Sequence, residues 1–145
     1  MPVIAFLVVL LAGVGLAVQP PTNAMLARMS GSVLLAALIS FFVGTVMLAG
    51  AWLATDRTSP TTLHGAPAWA WLGGLYGAVF VAAMAYAAPR LGLATTLTVA
   101  IASQLATALV LDHFGLLGLK AIPVSPGRIV GVAIVLVGIV LVRRS

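Results

Sequence analysis

The chain has 145 residues, of which 63% are hydrophobic and 6% charged, with a formal net charge of +5 and a mean hydropathy of +1.25. A water-soluble domain carries about a quarter charged residues, so this composition excludes a soluble globular fold and points to an integral membrane protein. The basic residues Arg28, Arg57, Arg90, Lys120, Arg128, Arg143 and Arg144 are scattered between apolar runs. They read as loop and interface anchors, and nucleic acid is not an expected partner.

There is no cysteine, which excludes disulfides and thiolate metal sites. The chain has two histidines and two aspartates, each pair far apart in sequence, and no glutamate, so a metal centre or a paired-carboxylate active site is not expected. No residue supports covalent chemistry. The expectation is a protein that is not an enzyme and needs no cofactor.

The first apolar run, 1–18, lacks a basic stretch before it and a small-residue cleavage site after it, so it reads as a retained span and not a signal peptide. It continues through Gln19, Pro20, Pro21, Thr22 and Asn23 to about residue 28. Proline has no amide hydrogen and clashes with the carbonyl four residues back, which predicts a kink or break near Pro20. Gln19 and Asn23 sit one turn apart, placed either to cap the broken backbone or to offer polar contacts to a ligand at a discontinuous helix.

A second span is predicted over 33–55, with Ser40, Gly44 and Thr45 on its small or polar side. The polar, proline-punctuated segment 56–67 is the longest loop. A third span covers 68–88, started by Trp69 and Trp71. Gly73, Tyr76, Gly77, Phe80 and Met84 share one face at helical spacing, more suited to packing than to ligand stacking.

The fourth span, 91–113, carries Thr96, Ser103 and Thr107 within about 40° of one another on a helical wheel, with Gln104 on the flank. Hydroxyls can bond to the carbonyl one turn earlier, which is the favoured reading for Thr96 and Thr107. The Gln104 amide cannot satisfy itself locally and calls for another helix or a cavity. At the span's end, Asp112 is either a proton- or cation-coupling group or one half of an ion pair with His113, Lys120 or Arg128 that clamps the following loop. The ion-pair reading is favoured, and Asp112 with His113 does not form a preset dyad.

Residues 114–128 are too apolar for a free loop and too broken by glycine and proline for a span, so they read as an interfacial connection. A fifth span covers 127–142, with Gly127, Gly131 and Gly138 on one side, where small residues let two helices approach closely. Five spans put the termini on opposite sides. Arg57, Lys120 and Arg128 then oppose Arg28, Arg90, Arg143 and Arg144, too even a split for the positive-inside rule to select an orientation. Insertion in both orientations followed by antiparallel pairing would give inverted-repeat symmetry.

The combination of Gln19 with Asn23, Ala24 and Leu26, the run Ala36 to Phe41 with Gly44 and Thr45, Gly73-Gly74-Leu75-Tyr76-Gly77, Leu91-Gly92, Gln104-Leu105, Asp112-His113-Phe114-Gly115, and Arg128 with Gly131 and Gly138 resembles the YdcZ-type family of the drug/metabolite transporter superfamily. The likeness covers essentially the whole chain. It implies a five-helix exporter of the bacterial inner membrane that works as an antiparallel pair, with itself or with a close paralogue, and kinship with small multidrug resistance exporters. Those carry a membrane-embedded glutamate in the first helix, and this chain has none, so their proton-coupled cation chemistry does not carry over. A smaller departure is Ser103, where the family pattern has glycine.

The reading is therefore an all-α polytopic protein, a single transmembrane domain over 1–145, assembled as an antiparallel homodimer or with a paralogue in the lipid bilayer. It exports an unidentified small molecule by alternating access. Gln19, Asn23, Ser40, Tyr76, Ser103 and Gln104 face the cavity, Asp112 is the candidate coupling group, and Gly73, Gly77, Gly127, Gly131 and Gly138 serve helix packing and the dimer. The competing reading is a non-transporting accessory or scaffold subunit, in which the polar residues only hold helices together.

Overall fold

A computed structural model describes residues 2–144 and contains only helices and loops among them. The helices are α1 (Pro2–Ser30), α2 (Val33–Thr55), α3 (Gly73–Leu91), α4 (Leu93–Phe114) and α5 (Pro126–Arg144), with short 3-10 turns at Pro60–Leu63, Ala68–Leu72 and Leu116–Gly118. By length and composition, α1, α2, α3 with the preceding turn, and α4 can each cross a membrane; the apolar part of α5, Pro126–Leu141, is shorter. The chain divides into two compact units, Met1–Arg90 and Leu91–Ser145.

In the first unit, α1 and α2 form a closely packed helical hairpin. Gly31, at φ 72°, takes a conformation that side chains resist, and Ser32 caps α2 by accepting a hydrogen bond from Leu35 N at 3.1 Å. Ala24 on α1 and Ala36 and Ala37 on α2 are buried, small enough to bring the two backbones together. Of the kink or break expected near Pro20, the break is absent: α1 runs through both prolines as one helix. Prolines in membrane helices persist where the neighbouring turns keep their hydrogen bonds, and Thr22 Oγ1 reinforces the turn by donating to Val18 O at 2.9 Å.

On α3 the buried residues are Val81, Met84, Ala85 and Ala88, a stripe at i, i+3, i+4 and i+7. Gly77 lies on the same side. A Cβ added there would sit 3.2 Å from Phe41 Cζ, so α2 meets α3 ring against glycine. Tyr76, one position round the helix, is 62% exposed and outside this stripe.

In the second unit α4 packs against α5. Gly92, at φ 82°, precedes α4, and Gly115 ends it in the left-handed conformation, φ 62° and ψ 35°, its N–H donating to Asp112 O. A Cβ on Gly115 would meet Ala121 Cβ, Ala121 N and Leu119 O at 3.1 Å each, because the connection folds back over it. Among the described residues neither unit contains a large side chain that is fully buried. The apolar surface of the spans is left for lipid or for another helix.

Candidate functional site

The polar groups of the spans separate into those bonded within their own helix and those left open. On α4, Thr96 Oγ1 donates to Gly92 O, Thr98 Oγ1 to Ala94 O, Ser103 Oγ to Ala100 O and Thr107 Oγ1 to Ser103 O, at 2.6 to 2.8 Å. This local bonding satisfies these four hydroxyl donors. Gln104, near the middle of α4, is exposed and makes no side-chain hydrogen bond among the described residues. Its amide has four bonding positions, all of them costly to leave empty in hydrocarbon.

Gln19 and Ser40 come together in the first unit. They line one cleft of about 190 Å³ with Phe41, Gly44, Thr45 and Leu48. The side chains of Gln19, Ser40 and Thr45 make no hydrogen bond among the described residues, in contrast to the α4 hydroxyls. One turn after Gln19 on α1, Asn23 is 3% exposed, and its Nδ2 has no hydrogen-bond partner. Leaving such a donor unmet costs about 1–3 kcal/mol, and native structures keep few of them. Gln19, Ser40 and Thr45 thus present unsatisfied donors and acceptors in a shallow space walled by a phenyl ring and small side chains, while Asn23 lies outside its lining.

The other expected residues lie elsewhere. Tyr76 is exposed on α3 and lines no cleft with Gln19 or Ser40. Ser103 and Gln104 belong to the second unit. An added Cβ at Gly73, Gly131 or Gly138 meets nothing within 4 Å, and at Gly127 it only reaches Ser125 Oγ.

Asp112 is engaged. Arg128 Nη1 donates to Asp112 Oδ2 at 3.2 Å, and Asp112 O accepts from Ile122 N at 2.7 Å. His113 Nδ1 accepts from Val124 N at 3.2 Å, and its ring lies edge-on to Phe114. The motif Asp112-His113-Phe114-Gly115 thus fastens the connection between α4 and α5 at successive points. Among the described residues no three His, Cys, Asp or Glu side chains gather where they could hold a metal.

Sequence reading did not place Phe41 or Leu48 at a site, and it named Thr45 only as part of a polar side. The signal was present: residues 41, 44, 45 and 48 follow the i, i+3, i+4, i+7 spacing of one helical face.

Four helices long and apolar enough to cross a bilayer, carrying open amides and hydroxyls, define a polytopic membrane protein. Residues 4–141 match the model of the family described as "Putative inner membrane exporter, YdcZ", and the chain belongs to that family. It is 33% identical over 144 residues to the protein named "Inner membrane protein YdcZ" from Escherichia coli (strain K12), an alignment covering 97% of this chain and 94% of that one. No solved structure matches the chain. The protein is accordingly a multi-pass protein of the bacterial inner membrane in a family of exporters.

Proposed function

We propose that the chain is one subunit of a secondary exporter that moves a small molecule by alternating access within an antiparallel dimer, and that its cavity is lined by Gln19, Asn23, Ser40, Tyr76, Ser103 and Gln104. In this reading all five helices span. The 19 residues of α5 rise about 28 Å, close to the thickness of the hydrocarbon core. The second subunit is a copy of this chain or a close paralogue, inserted in the opposite orientation. The open surfaces at Gly73, Gly131 and Gly138 favour such a partner, since an added methyl there meets nothing within the subunit.

The observation that carries the reading is Gln104, exposed and without a side-chain bond in mid-span, while the neighbouring hydroxyls of Ser103 and Thr107 are satisfied locally. Facing lipid, it would forfeit several kcal/mol of hydrogen bonding; facing a wet cavity completed by a partner, it forfeits none. Asp112 acts here as the fastening between α4 and α5, held by Arg128, and coupling through it would require that pair to open.

The chain has no cysteine, so single cysteines can be introduced without a background. In proteoliposomes, Gln104→Cys should react with a membrane-impermeant thiol reagent at least tenfold faster than Val99→Cys, on another face of α4. Equal, slow rates at the two positions would remove Gln104 from any water-filled cavity and favour the scaffold reading.

A further inference from the structure

The first unit holds a second polar hollow, unrelated to the Gln19 and Ser40 cleft. Arg28 in the last turn of α1 and Arg90 in the last turn of α3 border one cleft of about 460 Å³, walled by Ala24, Val33, Ala85 and Pro89. Arg90 lies 3.6 Å over the Tyr86 ring and donates through Nη1 to Tyr86 O, which leaves most of its five donors unused. Arg28 makes no hydrogen bond or ion pair among the described residues. The chain has two acidic residues: Asp112 belongs to the other unit and is taken by Arg128, while Asp56 caps the far end of α2. Each arginine alone suits the negative end of its helix. Two on one cleft, with no acidic side chain in its lining, form a site for an anion.

Next to this cleft lies an apolar groove of about 550 Å³, formed by Leu34, Ala37, Leu38 and Phe41 of α2 and by Ala78, Val79 and Ala82 of α3. The two hollows are consecutive along the same two helices: Val33 and Ala85 border the charged one, Leu34 and Ala82 the apolar one. From the helix ends, where headgroups lie, the groove descends toward mid-span, with Leu34, Leu38 and Phe41 recurring at i, i+4 and i+7. A soluble anion has no use for that groove; an amphiphile fits both parts.

We propose that this pair of hollows is a binding site for one anionic phospholipid, its phosphate held between Arg28 and Arg90 and an acyl chain laid in the groove that ends at Phe41. Basic pockets between membrane helices attract such headgroups, with about 1 kcal/mol from each arginine near the surface. The site uses none of the polar residues assigned to the cavity and shares only Phe41 with the Gln19 and Ser40 cleft.

The test is lipid retention by the purified full chain in nanodiscs of phosphatidylcholine with a minor fraction of phosphatidylglycerol, read by native mass spectrometry. The unaltered chain should retain phosphatidylglycerol preferentially, and Arg28→Gln with Arg90→Gln should lower that preference roughly thirtyfold, about 2 kcal/mol at 1.4 kcal/mol per tenfold. Filling the groove with Ala82→Leu should weaken retention of the diacyl lipid while both arginines remain. On the unaltered chain, inorganic phosphate or glycerol phosphate should fail to displace the lipid at equal concentration. Displacement by either would make this a soluble-anion site and overturn the proposal, as would a preference that survives loss of both arginines. A changed oligomeric state in the arginine variants, or in Asp56→Asn, would assign the arginines to a contact between copies and overturn it as well.

Discussion

Arg128 reaches back across sixteen positions of sequence to bond the carboxylate of Asp112, closing the connection between α4 and α5 with an ion pair at 3.2 Å. The same aspartate serves twice more through its backbone carbonyl, which accepts from Gly115 N and Ile122 N. A charged residue at the end of a membrane helix is a natural candidate for ion coupling, yet these bonds hold it as a fastening. The two roles make different predictions.

As a fastening, the pair contributes modestly, because its side chains are 38% and 34% exposed and water screens them. Asp112→Ala and Arg128→Ala should each lower stability by about 1 kcal/mol, with a coupling of about 0.5–1 kcal/mol in the double-mutant cycle. Thermal unfolding of the four proteins in detergent measures both. Asp112→Asn should leave the pH dependence of transport unchanged; a flattened profile would restore the coupling role.

Gly115 and Gly118 both have positive φ, but only Gly115 is crowded. Gly118→Ala should cost about 1 kcal/mol for the backbone alone. Gly115→Ala should cost about 2 kcal/mol or more, since its methyl would also press on Ala121 and on Leu119 O. Comparing the unfolding midpoints of the two variants separates conformation from crowding.

Asn23 carries a buried donor without a partner. If that donor awaits a ligand, Asn23→Leu should keep or raise stability, by up to about 1–3 kcal/mol, while transport in proteoliposomes falls at least tenfold. A structural amide would behave the other way, with lower stability and transport falling only as far as folded protein is lost.

The even distribution of basic residues permits insertion in both orientations, which the self-paired antiparallel dimer requires. A single cysteine from Thr62→Cys, in the loop after α2, should be labelled by an impermeant reagent from both faces of the membrane. Labelling from one face alone would rule out the self-paired antiparallel dimer and leave a paralogous partner.

Most helix bounds were legible because they depend on the local chain. Polar and glycine breaks at Gly31-Ser32, at 56–67 and at 115–125 separate apolar runs long enough to be helical, and the bounds of α2 agree at both ends. At Pro20 the helix continues without a break, since membrane helices tolerate proline when adjacent turns hold. Arg128 as a partner for Asp112 was one of three options in the sequence, and only the return of the chain through 115–125 chose among them.

The sequence by itself determined that the chain lives in a membrane, roughly where most of its helices begin and end, and that polar groups such as Gln104 need something other than lipid. Those properties follow from composition and helical period, which act residue by residue. The tertiary structure decided which polar groups are already satisfied, that Gln19 shares a cleft with Ser40, that Asn23 is buried without a partner, and that Arg28 and Arg90 border one hollow. These depend on which helix faces meet, and small residues such as Ala24, Ala36 and Gly77 set those meetings through close approaches that no single stretch of sequence encodes.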